Sequence, residues 1–203
     1  MDEFRADILK EIANIGGGHA ASALSVMLDK RIEQSIPNVR LVPLPEVPVL
    51  LGGAENVVVA GLLRIKGDFS GYLMMVFSCE QARKMISLML GKPSRKRSPA
   101  NVHKFSSMDR SVLSETVNIL GGSYLTAISD FTQLRTNQSI PYLSVDMVGA
   151  IINVVVAEVG KTGDFALMFQ SELCNEQERI AGDLFLIPDE KSCQTIFGSL
   201  GIL

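Results

Sequence analysis

The chain has 203 residues, of which 47% are hydrophobic and 20% are charged, a balance typical of globular proteins and unlike that of disordered ones. Its net charge of −3 is not the basic excess of a general nucleic-acid binder, and no apolar run reaches the roughly 18 residues that cross a bilayer. The acidic start, Met1-Asp2-Glu3, lacks the pattern of a signal peptide. We therefore expect a cytoplasmic protein without membrane insertion or nucleic-acid binding.

The cysteines are Cys79, Cys174 and Cys193, and no two of them form a Cys-x-x-Cys pair. An odd number at wide spacing indicates free thiols in a reducing compartment rather than a disulfide framework. Because the chain also has only two histidines, the sequence predicts no metal site and no cofactor of its own. The basic run at 92–97 is interpreted as a solvated loop rather than a nucleic-acid patch.

Two long amphipathic helices are predicted, the first near 3–29 and the second near 107–131. In the first, Ile8, Ile12 and Ile15 recur at helical spacing on one face. The apolar residues with the same role in the second helix are Val112, Leu113, Val117, Ile119 and Leu120. Each helix is therefore expected to bury one face and to expose the other.

Extended segments follow each helix, because runs of β-branched residues favour strands. The predicted strands are 31–44, 55–66 and 70–78 after the first helix, and 134–147, 150–159, 164–173 and 181–187 after the second. The strongest signals are the valine runs at 57–59 and 154–156. Gly67-Asp68 and Gly163-Asp164 are expected at hairpin turns.

A short closing helix is predicted at the end of each half of the chain. The first lies near 79–90. The second lies near 189–200, where Pro188-Asp189-Glu190 is a typical helix start. The order of helix, strands and helix is thus predicted twice, with 181–187 as one additional strand in the second half.

The two halves also share sequence, since residues 7–37 align with 111–141 at a constant offset of 104. Identical pairs include Glu11/Glu115, Asn14/Asn118, Ile15/Ile119, Gly17/Gly121, Gly18/Gly122, and the block Gln34-Ser35-Ile36-Pro37 against Gln138-Ser139-Ile140-Pro141. Further on, the Asn-Val-Val-Val-Ala sequence at 56–60 recurs at 153–157. Repeats of this kind indicate an internal duplication.

These patterns predict an α+β fold with internal duplication, in which a mostly antiparallel sheet is shared by both halves and flanked by helices about a pseudo-twofold axis. We expect a single domain over 1–203, made of repeats at about 3–91 and 107–201 that a polar segment, 92–106, joins. Two separate domains are disfavoured, because half a sheet would leave an open edge that the other half can cover.

A polar pattern recurs on both predicted long helices. The first copy consists of Asp7, Glu11 and Asn14, and the second consists of Ser111, Glu115 and Asn118. Spacings of four and three residues place each set on one helical stripe, away from the apolar face, so the stripe should face solvent. In each copy a proline follows the asparagine after 22 intervening residues, at Pro37 and Pro141.

Glycines follow each asparagine at matched positions, Gly17-Gly18 and Gly121-Gly122. Glycine inside a helix costs about 1 kcal/mol relative to alanine, so these positions suggest that another backbone segment comes close. His19 follows the first pair and is interpreted as a partly buried, hydrogen-bonded residue rather than a catalytic one.

The complete pattern resembles the signature of the chemotaxis phosphatases of the CheC, CheX and FliY family. The resemblance covers essentially the whole chain, and the length, the duplication and the two sites are most similar to the CheC branch. It implies a protein of the bacterial or archaeal cytoplasm that hydrolyses the aspartyl-phosphate of the response regulator CheY. Mg²⁺ is expected on the regulator, and the deamidase CheD is a further expected partner.

The resemblance implies a role for each polar residue. Asn14 and Asn118 orient the attacking water, because a neutral amide can accept a hydrogen bond from the water without adding charge beside the phosphoryl group. Glu11 and Glu115 anchor the regulator through its active-site lysine. Asp7 and Ser111 support docking or hold the glutamate side chains.

Two other interpretations remain open. The chain could be a non-catalytic adaptor that binds a phosphorylated regulator or CheD, or a structural part of the flagellar switch. A conventional hydrolase is disfavoured, because the sequence contains no Gly-x-Ser-x-Gly elbow and no P-loop.

Overall fold

The computed structural model describes residues 3–91, 103–159, 165–176 and 178–199. The elements of the first half are α1 (Glu3–Leu28), β1 (Glu33–Gln34), β2 (Asn38–Pro43), a 3₁₀ turn (Leu44–Glu46), α2 (Val47–Leu50), β3 (Val57–Gly67), β4 (Gly71–Ser78) and α3 (Cys79–Leu90). Those of the second half are α4 (Ser107–Thr132), β5 (Thr136–Gln138), β6 (Tyr142–Met147), α5 (Val148–Val159), β7 (Phe165–Cys174), β8 (Arg179–Pro188) and α6 (Glu190–Ser199). The basic run at 92–97 and Gly163-Asp164 lie outside the described residues.

The strands form one antiparallel sheet of eight strands in the order β1-β7-β8-β4-β3-β5, with β2 also paired to β7 and β6 also paired to β3. The first strands of each half pair with the other half, so neither half has a complete sheet of its own. If each strand is exchanged with its counterpart in the other half, β1 with β5, β7 with β3 and β8 with β4, the same order results when it is read from the opposite edge. The predicted α+β fold with one shared antiparallel sheet is therefore confirmed, whereas the internal duplication stays a prediction.

Side chains alternate between the two faces of the sheet and form two cores. In β4, Leu73 and Met75 belong to the core under α1, α3 and α4, whereas Met74 and Val76 belong to the core on the opposite face. The short helices α2 and α5 cover this second face through Val47 and through the buried side of α5. Helices thus flank both faces, as the sequence predicts.

The helix α4 begins at a capping box, in which the Ser106 hydroxyl accepts a hydrogen bond from the Asp109 amide and the Asp109 carboxylate accepts one from the Ser106 amide. This arrangement satisfies amides that would otherwise lack partners in the first turn. At its C-terminal end the helix terminates at Gln133, whose φ of 58° is left-handed. Neither this helix nor any other in the described segments is long and apolar enough to cross a membrane.

The predicted strand at 150–159 is wrong, because this segment lies in the helix α5. Its buried residues are Val148, Ile151, Ile152 and Val155, which is the spacing of a helix face and not the alternation of a strand. The first amides of the helix donate to the loop before β3, from Val148 to the Asn56 carbonyl and from Gly149 to the Ala54 carbonyl. Burial against the second face of the sheet outweighs the preference of the valine run for strands.

This correction changes how the two halves correspond. The Asn-Val-Val-Val-Ala sequence at 56–60 leads into β3, but its copy at 153–157 is helical, so the two are not structural counterparts. By order and pairing, β7 corresponds to β3 and β8 corresponds to β4. The segment 181–187 is therefore not an additional strand in the second half but the counterpart of β4.

Candidate functional site

The first polar stripe lies on the solvent side of α1. Asp7, Glu11 and Asn14 are all exposed, while Leu9 and Ile12 on the opposite side of the helix are buried. The exposure predicted from the helical spacing is therefore confirmed for this copy.

The second stripe is similar but slightly more enclosed. Ser111 and Glu115 are exposed, whereas Asn118 is half-buried. Behind the stripe, Leu113 and Val117 are almost completely buried against the sheet. Both asparagines are accessible to a binding partner, because neither belongs to the core.

Within the part of the chain that the structure describes, neither Asp7 nor Ser111 forms a hydrogen bond with the glutamate of its own stripe. Asp7 forms an exposed ion pair with Lys10, 3.3 Å from Oδ1 to Nζ. The Ser111 hydroxyl donates to the Ser107 carbonyl at 3.1 Å, one turn earlier in α4. Of the two predicted roles for these residues, holding the glutamate side chains has no support in these contacts, and docking stays a prediction.

The repeated Gln-Ser-Ile-Pro block is anchored in the same way in both halves. The Ser35 amide donates to the Glu172 carbonyl and the Ser35 hydroxyl accepts from the Glu172 amide, each at 2.9 Å. Ser139 forms the same pair of bonds with Arg64, at 2.9 and 3.0 Å. These reciprocal bonds attach each block to its neighbouring strand and place the preceding glutamine beside a long helix.

The two glutamine amides have different partners. The Gln138 Nε2 donates to the Asn118 Oδ1 at 2.9 Å and approaches the Asn118 main-chain oxygen at 3.3 Å. The Gln34 Nε2 instead donates to the Tyr124 hydroxyl at 3.1 Å. Burial raises the pKa of Tyr124 above its usual value, and hydrogen bonds to Gln34 and Ser171 offset part of this increase, so the phenol is neutral at physiological pH.

The glycines after the asparagines make room for side chains, so the predicted close approach of a backbone segment is wrong at these positions. A Cβ on Gly17 would overlap the Gln34 amide, and one on Gly121 would overlap a Leu63 methyl group. A Cβ on Gly122 would lie 3.4 Å from the Gln138 Nε2. A Cβ on Gly18 would have no described atom within 4 Å apart from the adjoining backbone of its own helix, so the surface one turn beyond Asn14 is open.

Two isoleucines of the repeated block are almost fully exposed although their side chains are apolar: Ile36 is 90% accessible and Ile140 is 89% accessible. Each lies two residues beyond the glutamine that reaches a long helix. Sequence reasoning assigned no role to Ile36, Ile140, Gln34 or Gln138. The available signal was the identity of the whole block in both halves.

His19 is exposed, on the same side of α1 as Gly18 and Ser22, so the prediction of a partly buried histidine is wrong. Pro37 is buried and directly precedes β2, and Pro141 directly precedes β6. The prolines therefore lie where they restrict entry into the next strand, because proline fixes φ near −65°.

Among the described residues, no cluster of histidine, cysteine and acidic side chains could hold a metal ion. All of the cysteines are free, with Cys79 buried and Cys174 and Cys193 half-buried. Burial raises the pKa of the Cys79 and Cys193 thiols, so neither is an activated nucleophile.

The sequence pattern of the CheC-like family matches residues 4–40 and 108–136, which include both polar stripes. The chain is 34% identical over 203 residues to the CheY-P phosphatase CheC of Bacillus subtilis, covering 99% of this chain and 96% of that relative. The chain belongs to the CheC-like family.

The fold of this CheC-like chain is similar to the folds of solved structures. The crystal structure of Thermotoga maritima FliY superposes with a TM-score of 0.76 at 17% identity, covering 99% of this chain and 98% of that one. The CheX–CheY–BeF₃–Mg²⁺ complex from Borrelia burgdorferi has a TM-score of 0.50 at 14% identity, covering 86% of this chain and 96% of that one.

Proposed function

We propose that this chain is a phosphatase that hydrolyses the aspartyl-phosphate of the chemotaxis response regulator CheY. One observation carries the proposal: the same glutamate and asparagine pair is presented to solvent from two helices. Membership of the CheC-like family and the similarity to a CheY-P phosphatase along nearly the whole chain support this activity.

The reaction needs little from the enzyme beyond a well-placed water. The water oxygen attacks phosphorus, the bond from phosphorus to the aspartate oxygen breaks, and the aspartate leaves as a carboxylate. The water proton passes to the released phosphate. Since an acyl phosphate is already activated, positioning and charge stabilisation account for most of the acceleration.

Asn14 and Asn118 are the residues proposed to orient this water. A carboxamide oxygen accepts a hydrogen bond from the water, which directs a lone pair of the water oxygen at phosphorus. A carboxylate in the same place would repel the phosphoryl oxygens. Asn14 is exposed and Asn118 is half-buried at the surface of its helix, so an approaching regulator can reach each amide.

Glu11 and Glu115 are proposed to bind the regulator. Each is exposed and lies one helical turn before the asparagine of its stripe, so an ion pair with the regulator's active-site lysine would place the amide beside the phosphoryl group. Mg²⁺ is proposed to come with the regulator, and the described residues offer no cluster that would hold it.

The surroundings of the stripes suit a protein substrate. The open surface at Gly18 leaves space for an approaching backbone, and the exposed Ile36 and Ile140 offer apolar contacts near the two sites. Apolar side chains that are buried only on association supply much of the affinity of protein interfaces.

The test is the release of phosphate from phosphorylated CheY by the double variant Asn14→Ala, Asn118→Ala. We expect the acceleration to disappear while binding of CheY in its beryllium fluoride form persists. Asn153→Ala is the matched control, because Asn153 is an exposed helical asparagine on the opposite face of the sheet. A double variant that releases phosphate as fast as the parent would refute the role of the asparagines.

The adaptor interpretation makes a different prediction for the same assay. An adaptor would change the regulator's lifetime only in stoichiometric amounts, whereas a phosphatase acts at a small fraction of the substrate concentration. Binding of CheD stays a prediction from the family resemblance, and it is compatible with either activity. Titration of CheD against the chain by calorimetry tests it directly.

A further inference from the structure

The two sites differ in how their asparagines are held. Asn118 accepts a hydrogen bond from Gln138, while Asn14 has no hydrogen bond to its amide in the described part of the chain. The difference is unexpected from the sequence, because Gln34 and Gln138 lie in identical blocks that serines anchor identically.

The contacts of Gln138 define which way the Asn118 amide points. The Gln138 nitrogen approaches the Asn118 main-chain oxygen, which can only accept, so this nitrogen and not the amide oxygen faces Asn118. The Asn118 atom 2.9 Å from it must then be the acceptor Oδ1. A free asparagine can turn its amide by 180° and present either oxygen or nitrogen, since its terminal torsion is broad and twofold.

One substitution between the halves explains why only one glutamine acts in this way. The counterpart of Tyr124 at the offset of 104 is Ala20, which has no hydroxyl to offer. Gln34 therefore finds the Tyr124 hydroxyl, whereas Gln138 finds no phenol and reaches Asn118 instead.

We propose that Gln138 is a positioning residue for Asn118. This role rests on the proposed function. Gln138 holds the Asn118 oxygen in the orientation that receives the attacking water. One lone pair of this oxygen accepts from Gln138, and the second stays available to the water. Gln34 has no such role for Asn14.

The burial of Gln138 is consistent with this role. Its Oε1 is buried and has no hydrogen-bond partner among the described residues. An unsatisfied buried acceptor is destabilising, and this cost offsets part of what the two Nε2 contacts contribute to stability. A glutamine that serves only stability is therefore the weaker explanation.

The experiment uses the full chain with Asn14→Ala, so that only the second site works. In this background Gln138→Met should lower kcat for phosphate release about tenfold, the rate equivalent of one lost hydrogen bond. The Kd for CheY with beryllium fluoride should stay the same, because the surface of the chain keeps its shape. Gln34→Met in the same background is the matched control and should leave kcat within about twofold.

Whether the Asn118 amide is held in one position can be measured without an activity assay. In the parent chain, the side-chain NH₂ of Asn118 should show the restricted motion of an ordered group in ¹⁵N relaxation measurements. Gln138→Met should release it, and Gln34→Met should not. If the methionine variant unfolds, Gln138→Ala is measured in its place by the same two methods.

The outcomes separate this inference from the proposed function. If Asn118→Ala abolishes the remaining activity but Gln138→Met leaves both kcat and the amide motion unchanged, the positioning role is refuted and the phosphatase stands. If Gln138→Met releases the amide but Asn118→Ala has no effect on phosphate release, Gln138 still orders Asn118 and the proposed function fails. A fall in kcat together with a mobile amide supports the inference.

Discussion

Replacing Gly61 by alanine is expected to disturb the packing beneath the second site. Gly61 lies in β3 directly under α4, and a Cβ there would overlap the Val117 Cγ2 and lie 2.7 Å from its Cγ1 and 3.0 Å from its Cβ. Rotation of the valine cannot relieve the contact with its Cβ, and valine in a helix has one strongly preferred rotamer. The helix that carries Glu115 and Asn118 must therefore move.

The size of the effect follows from two opposing contributions. Overpacking a core costs about 1–3 kcal/mol, while removing a glycine from a strand returns about 0.5–1 kcal/mol. Taken at the midpoints of the two ranges, the net loss is about 1 kcal/mol, which lowers Tm by roughly 2–4 °C in a chain of 203 residues. Because Asn118 follows Val117 in the helix, turnover at the second site should fall as well.

Thermal and urea unfolding measure this loss against two controls. Gly18→Ala should stabilise the chain by about 0.5–1 kcal/mol, because among the described residues the new Cβ would approach only the adjoining backbone of α1, and α1 gains a better helix former. The double variant Gly61→Ala, Val117→Ala should lose less unfolding free energy than the two single variants lose together, by about 1 kcal/mol or more. Additive single changes, or a Gly61→Ala chain as stable as the parent, would contradict the reasoning.

Three further predictions concern other parts of the chain. Ser106→Ala should lower the free energy of unfolding by about 1 kcal/mol in urea, because it removes the capping box with Asp109. Burial raises the pKa of Asp183 in the folded state above its usual value. The folded chain therefore loses stability as the pH rises and this carboxyl ionises, and it has no such loss at a pH below the usual carboxyl pKa. Asp183→Asn should thus stabilise the chain at pH 7 and have no effect near pH 3 in pH-dependent unfolding. Replacing both Ile36 and Ile140 by serine should weaken CheY binding by about tenfold in calorimetry without lowering Tm.

Local patterns were sufficient for the long helices and the exposed stripes. The helical spacing of apolar residues predicted both helices to within one residue at each end, because amphipathic periodicity depends on near neighbours. The same spacing placed Glu11, Asn14, Glu115 and Asn118 on solvent-facing sides. These features follow from the chain itself and need no knowledge of what it packs against.

The helix α5 shows where local preference fails. The valine run at 154–156 favours a strand, yet only Val155 of the three is buried and the segment is helical. The buried positions 148, 151, 152 and 155 carried the helical period, but the β-branched run concealed it. The second face of the sheet needs a cover, and burial of that helix face decides the outcome.

The sequence by itself determined that Gln34 and Gln138 would be placed alike, since the same block enters the sheet through the same serine bonds. It could not determine what each amide would meet. That depends on Tyr124, which comes from another helix and whose counterpart is Ala20. Only the tertiary structure decided that Asn118 is held by a glutamine while the Asn14 amide has no partner among the residues described, because a hydrogen bond requires a partner within about 3 Å and not a motif.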